Sequence, residues 1–398
     1  MRILYHHRTQ GRGAEGNHIV SIVTALRELG HDVDVLSPPG IDPFDTSATL
    51  PVDTKQAKTR GWSSLWKLLS GRVPTWAFEI AEIFYNIPAW FRLRACLRRK
   101  KYDLVLERYA SYLVAGARAA RSSRCFFVLE VNDVSGVADR VRRQVFPKLC
   151  AFAERRLLQR SDCVHAVSSY LADRVVERGV PRERVVVAPN GFDLRRLRST
   201  RSRDEMRARY GLDGSIVIGF AGWFVEWDRL DFMVEVFAAV RRDDDRLKLC
   251  LVGDGQPMPA VRQMMRERGI ENALVHTGAV PRGEVYDFIG MFDVGFLPHS
   301  NLFGSPMIMF EMMGLKVPVI APRLPPIEDV HRDGFTALLF NPLDEQDCVR
   351  QLGRLGAEKE LRESLADAAF RVLVEDHTWA CTAERILAGI PKIATSPA

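Results

Sequence analysis

Apolar positions fall into short bursts separated by amphipathic runs. Residues 2–5 make a strand-length burst, followed by a polar loop at 6–16 that carries Gly11, Gly13 and Gly16. A helix-period run then follows (Ile19, Ile22, Val23, Leu26, Leu29), ends at Gly30, and gives way to a second burst at 33–36. Strand, glycine loop, helix, strand is a βαβ unit. Further bursts at 104–106, 126–129, 163–167 and 185–188 alternate with helical stretches at 110–120 and 145–159. That alternation predicts an α/β fold with a doubly wound parallel sheet.

The pattern then starts again. Residues 193–209 are polar and Arg-rich and read as a linker, after which strands are expected at 216–221, 247–252, 274–276 and 294–297, with helices at 230–240 and 259–268. Residues 304–321 close the series, with a Gly/Ser/Pro turn, an apolar helical run broken at Gly314, and a strand-length burst at 317–321 before Pro322. Two Rossmann-like doubly wound domains facing a cleft are expected. Their bounds are 1–195, joined by a final helix at about 376–398, and 196–375.

Composition narrows the class. A chain of 398 residues, 47% hydrophobic and 27% charged, suits two globular domains. No run reaches bilayer-spanning length, and the N-terminal residues lack a signal-peptide core. Seven cysteines without paired or zinc-like spacing suggest free thiols in a reducing cytoplasm. The net charge of +6 is compatible with anionic substrates, an anionic membrane surface or nucleic acid and does not choose among them.

Candidate chemistry sits just past the strand ends, where open α/β sheets bind ligands: His7, Arg8, Arg108, Asn132, Asp133, Ser168, Asn190 and Gly191. The turn at Gly304 and Ser305 precedes a helix, whose unpaired amides and dipole make an anion site. Glu311 is a carboxylate in an apolar helix and needs a polar partner if buried; a ribose diol would serve. The first glycine loop departs from a dinucleotide fingerprint, because no acidic residue closes the burst at 33–36. The acidic run at 243–245 lies in a loop, where solvation explains it better than a metal. Between 60 and 101, Trp62, Trp66, Trp76, Phe84, Trp90 and Phe91 are interleaved with Lys67, Arg72, Arg98 and Arg99. This suits a surface facing anionic lipid; the alternative is core aromatics beside a solvated basic face.

Taken in order, the motifs resemble the retaining glycosyltransferases of family four with the GT-B fold, over nearly the whole chain. They are Gly30-His-Asp-Val33, Leu106-Glu-Arg-Tyr109, Leu129-Glu-Val-Asn132, Ala166-Val-Ser168 and Val187-Ala-Pro-Asn-Gly-Phe-Asp193. Gly219-Phe-Ala-Gly222, Val252-Gly-Asp-Gly255, Ser305-Pro306 to Glu311, Pro318-Val-Ile-Ala321 and Asp333-Gly-Phe-Thr-Ala337 continue the series. The resemblance implies a C-terminal domain that binds a nucleotide-sugar and an N-terminal domain that binds the acceptor. By position, Glu311 would hold the donor ribose, and the amides at Ser305, Pro306 and Met307 would meet the diphosphate. Gly222, Trp223 and Asp254 would line the donor site, Val280 would receive the base, and the loop at Gly13 and Gly16 would close over the diphosphate.

Departures are also visible. Where many members carry Arg and Lys after the glycine, this chain has Trp223 and Asp228; Phe303 replaces a glutamate, Ile308 a lysine, and Asn132 a histidine. Arg8, Arg108 or Arg229 would have to supply positive charge in their place.

The reading implied is transfer of a sugar from a nucleotide diphosphate donor to an acceptor hydroxyl, with no metal or other cofactor. Asn132 and Asp133 are the acceptor-side polar groups that would assist, with Arg8 and Arg108 beside them. A lipid-linked glycan in polysaccharide or glycolipid assembly, at the inner face of a membrane, is the expected acceptor; nucleic acid is not an expected partner. Alternatives are a natural-product glycosyltransferase, a catalytically weakened GT-B binding or scaffold subunit, and a nucleotide-sugar epimerase.

Overall fold

The computed structural model describes residues 1–11, 13–45, 74–137 and 144–390. The chain divides into two compact units, one of residues 1–189 with 382–398, the other of residues 190–381.

The first unit is built on a six-stranded parallel sheet in the order β2-β1-β3-β4-β5-β6. Its strands are β1 (Arg2–His6), β2 (Asp32–Leu36), β3 (Leu104–Arg108), β4 (Phe126–Val131), β5 (Cys163–Ala166) and β6 (Val185–Val187). The helices are α1 (Gly13–Glu28), α2 (Thr75–Phe84), α3 (Asn86–Arg99), α4 (Ala115–Ser122), α5 (Pro147–Arg160) and α6 (Ser169–Glu177). Central strands are near-continuous apolar runs because helices cover both faces. Ile3, Leu4, Leu104, Val105, Leu106, Val128 and Leu129 are all buried.

The loop expected at 6–16 is shorter than its composition suggests, since α1 already begins at Gly13. Gly16 explains the tight entry: a Cβ there would lie 2.2 Å from the Gly11 carbonyl oxygen, so only glycine lets the first turn press on the loop.

The second unit repeats the plan with a sheet ordered β12-β11-β10-β7-β8-β9, again parallel. Its strands are β7 (Ile216–Phe224), β8 (Leu247–Gly255), β9 (Leu274–Gly278), β10 (Val294–Phe296), β11 (Val319–Pro322) and β12 (Leu338–Phe340). Around them run α7 (Arg203–Arg209), α8 (Leu230–Arg241), α9 (Met258–Glu267), α10 (Val285–Ile289), α11 (Met307–Gly314), α12 (Pro325–Glu328), α13 (Glu345–Ala357) and α14 (Lys359–Asp376).

The stretch read as a linker at 193–209 is not one throughout. Its second half is α7, held down by buried Met206 and by Arg203 and Arg207, which donate to the Asp293 carboxylate at 2.5 and 2.9 Å. Arg-rich composition masked a docked helix.

The last helix, α15 (Trp379–Ala388), contains the unit boundary. Within the first unit, Thr382 Oγ1 donates to the Pro189 carbonyl at 2.9 Å. No described helix is long and apolar enough to cross a membrane.

Candidate functional site

In the second unit, β10 and β7 are adjacent, and the chain continues from β7 toward β8 on one side and from β10 toward β11 on the other. This is the point at which parallel α/β sheets open a crevice at their carboxyl ends. α11 starts beyond the end of β10. Asn301 organises the approach: its Oδ1 accepts the amides of Phe303 and Gly304 at 3.2 and 2.5 Å.

Ser305 is buried, and its two oxygens are used internally. The Asn190 amide donates to its hydroxyl at 3.1 Å, and Asn190 Nδ2 to its carbonyl at 2.8 Å. Pro306 is the N-cap and makes no side-chain cap to the first turn. The helix start therefore offers amides and a positive dipole end to an anion through its backbone.

Glu311 lies one turn into α11, is half-buried, and makes no side-chain hydrogen bond to any described residue. Burial pushes its carboxyl up to about 7, against the pull of the Arg282 guanidinium. Tyr286 stands in the same field, raised to about 12 by burial and by Glu311. Its ring packs edge-on against Phe192 with centroids 6.0 Å apart.

Arg282 and Tyr286 were not among the sequence candidates. The available signal was their place just after Val280, which is itself half-buried against the core. Arg282 is exposed and makes no hydrogen bond or ion pair with any described residue.

Around the end of β7 the chain is shaped by close approach. Gly222 pairs with Gly253 and Trp223 with Asp254. At Gly253, with φ +127°, a Cβ would meet the Gly222 carbonyl oxygen at 1.9 Å. Trp223 projects into solvent at 68% exposure, while Asp254 is exposed and accepts the Gly255 amide at 2.8 Å. Asp228 is buried and accepts the Val225 amide at 2.9 Å; burial raises its carboxyl to about 6.

In the first unit, Arg108 and Asn132 converge on one side chain that was not singled out, Glu130. Arg108 Nη1 and Asn132 Nδ2 donate to Glu130 Oε1 at 2.6 and 2.7 Å, and the Tyr5 hydroxyl donates to Oε2 at 3.2 Å. His18 Nε2 from α1 lies 3.0 Å from the same Oε1. Glu130 is fully buried. Burial alone would raise its carboxyl, but His18 and Arg108 outweigh it and hold it well below the usual carboxylate range.

A second buried pair, His6 Nδ1 with Glu107 Oε2 at 2.5 Å, joins the ends of β1 and β3. Asp133 is half-buried next to Asn132. Gly13 and Gly16 lie in the first turn of α1.

All three arginines considered as replacement cations are already paired. Arg8 donates to Glu82 at 2.7 Å, Arg108 to Glu130, and Arg229 to Asp231 at 2.8 Å. No group of three or more His, Cys, Asp or Glu among the described residues is arranged to hold a metal ion.

Comparison with known proteins agrees with this architecture. The family model Glycosyltransferase Family 4 matches residues 15–196, and Glycosyl transferases group 1 matches residues 215–358. The alpha-D-kanosaminyltransferase of Streptomyces kanamyceticus is 22% identical over 231 residues, covering 57% of this chain and 59% of that protein. The GDP-mannose-dependent alpha-(1-6)-phosphatidylinositol monomannoside mannosyltransferase of Mycolicibacterium smegmatis is 24% identical, covering 59% and 63% respectively. The chain thus spans about three-fifths of the length of these relatives. Among solved structures, Anabaena HepE in complex with UDP superposes with a TM-score of 0.72 at 16% identity, covering 98% of this chain and 99% of that one.

Proposed function

Because the chain belongs to the family-four glycosyltransferases of GT-B fold, we propose that it moves a sugar from a nucleoside diphosphate sugar to an acceptor hydroxyl with retention of configuration. The observation that carries this reading is Glu311, a half-buried carboxylate with no hydrogen-bond partner among the described residues, one turn inside a helix whose N-cap, Pro306, makes no side-chain cap. A ribose diol satisfies the carboxylate, and the diphosphate lies at the helix start. Arg282 is a side-chain cation that acts on Glu311 electrostatically and pairs with no carboxylate among the described residues. It replaces the Arg/Lys pair whose positions hold Trp223 and Asp228.

In the reaction, the bond between the anomeric carbon and the diphosphate oxygen breaks as the acceptor oxygen bonds to the same face. The acceptor proton passes to the departing diphosphate oxygen. No side-chain nucleophile is needed, and the helix start with Arg282 stabilises the developing charge without a metal. On the acceptor side, Asn132 orients the hydroxyl and Asp133 assists its proton. The relatives' names include a phosphatidylinositol mannoside mannosyltransferase. That supports a lipid-linked glycan acceptor in glycolipid or polysaccharide assembly, reached from the cytoplasmic face of a membrane.

Titration calorimetry with UDP, GDP, ADP and dTDP, followed by hydrolysis of the matching donor sugars, tests this. Binding of one nucleotide with slow donor hydrolysis is expected; no binding to any of them overturns it. The paired state of Arg8, Arg108 and Arg229 favours one rival, a binding subunit without transfer. Nucleotide-sugar binding with neither hydrolysis nor transfer would select that rival.

A further inference from the structure

Large apolar side chains on the surface are concentrated in one part of the first unit. Of the twelve that are exposed among the described residues, seven lie on or beside α2, α3 and α5. Trp76, Phe84, Ile87 and Phe91 belong to α2 and α3, and Phe84, Ile87 and Phe91 recur at helical spacing. Leu149 and Phe152, three apart near the start of α5, make a second stripe with Val145 just ahead of the helix. The sequence region at 60–101 pointed only to the first stripe. Its Trp62, Trp66, Lys67 and Arg72 lie outside the described residues, and Phe78, Tyr85 and Trp90 are half-buried.

The two stripes are fastened together by one buried carboxylate. Glu79 of α2 accepts the amides of Val145 and Phe146 at 2.6 and 3.0 Å, and the Tyr112 hydroxyl at 2.7 Å. Asn86, the first residue of α3, donates to the Tyr112 carbonyl at 2.8 Å and accepts the Val114 amide at 2.8 Å. These hydrogen bonds tie the two helices to the unit from beneath while their apolar side chains are exposed.

Charge on these helices is one-sided. α3 carries Arg92, Arg94, Arg98 and Arg99 with no acid. α5 carries Lys148, Arg155, Arg156 and Arg160, and its single acid, Glu154, is buried and bonded to Arg178 Nε at 2.7 Å. On α2, Glu79 is buried and Glu82 is paired with Arg8. Cations beside exposed aromatics suit the headgroup layer of an anionic bilayer, where apolar side chains enter and arginines meet phosphates. A protein partner would be expected to bring carboxylates to so basic a face, and a second copy would set like charges against each other.

We propose that the first unit docks on an anionic membrane surface through both stripes together, with Phe91 and Phe152 as the inserted anchors. The proposal rests on the transferase reading only for why a membrane is useful, since that is where a lipid-linked acceptor resides.

Sedimentation with vesicles of phosphatidylcholine alone, or mixed with phosphatidylglycerol, tests it. The chain should partition onto the mixed vesicles only and be released by salt. Phe91→Ser with Phe152→Ser, or Arg98→Gln with Arg155→Gln and Arg156→Gln, should each weaken partitioning about tenfold. Val374→Ser, which removes an exposed apolar side chain of the second unit, should leave it unchanged. Nucleotide binding is measured on every variant. Unimpaired nucleotide binding without vesicle binding would overturn the docking and leave the transferase reading standing. Equal vesicle binding by wild type and the Phe pair would overturn it too. A dimer in sedimentation velocity that the Phe pair abolishes would assign the face to a second copy instead.

Discussion

Asn132 reaches the sheet through Glu130: its side-chain amide donates to a fully buried carboxylate at 2.7 Å, and that carboxylate also holds Arg108. Glu130→Gln leaves Arg108 and His18 buried beside a neutral group, and should cost about 3 kcal/mol in a denaturant titration. The Glu130 carboxyl is held low in the folded chain, so its stabilising effect is present above the unfolded pKa and is lost as pH falls below it. Asn132→Ala, by contrast, should cost only about 1 kcal/mol. It should slow transfer to the acceptor tenfold or more while donor hydrolysis continues, and equal loss of both reactions would argue against an acceptor-side role.

Glu311 shifts in the opposite sense. Its folded pKa of about 7 lies above the ordinary 4.5, so between those values the folded chain keeps a proton that the unfolded chain releases. Stability should therefore fall as pH rises through that window, by roughly 1–3 kcal/mol, and Glu311→Gln should flatten the slope. A ribose diol donating to the carboxylate favours its ionised form. Nucleotide binding should accordingly release a proton near pH 6, seen as a buffer-dependent heat in calorimetry.

Along α11, backbone and side chain are separable. Glu311→Ala should weaken nucleotide binding at least tenfold, and Ile308→Ala by no more than about twofold, because Ile308 packs on the core and offers no charge. Arg282→Gln should weaken binding of the diphosphate more than that of the nucleoside. Equal losses for both ligands would remove Arg282 from the phosphate end.

Asp228 carries a cost that one amide, its single hydrogen-bond partner among the described residues, does not offset. Its carboxyl is raised to about 6 from 3.8, so its ionisation destabilises the fold as pH climbs between them. Asp228→Asn keeps an acceptor for the Val225 amide and should raise the unfolding free energy at neutral pH by about 1–2 kcal/mol, seen as a higher midpoint in urea. No change would mean that water reaches the carboxylate.

Where β7 and β8 end, Gly253→Ala places a Cβ against the Gly222 carbonyl oxygen in a left-handed backbone region. The strand ends must part, at a cost of about 2 kcal/mol or more. Nucleotide affinity should fall with them, which calorimetry on the folded fraction would show.

The strands were legible because each is an apolar burst buried on both faces, as at 104–106 and 126–129. Their ends were not: β7 runs on through Gly222 and Trp223 to Phe224, residues whose strand character comes from pairing with Gly253, Asp254 and Gly255. Glu311 stood out as a lone carboxylate in an apolar run. Glu130 did not, because its partners come from β1, β3 and α1, and only the register of the sheet brings them within reach. Asp293 hid the docking of α7 in the same way, through arginines about ninety residues upstream. Local pattern reports elements; charge partners are set by topology.

The first unit borrows its closing piece from the far side of the second. Thr382, which bonds the carbonyl of Pro189, is separated from it by every residue of 190–381. On the ribosome, the sheet edge at β6 must wait until that whole intervening stretch has been made before its covering helix arrives. The second unit, by contrast, is one unbroken span and can fold as soon as it emerges. Assembly should therefore finish with the first unit, and a chain halted before Thr382 would present a complete second unit beside an unfinished first.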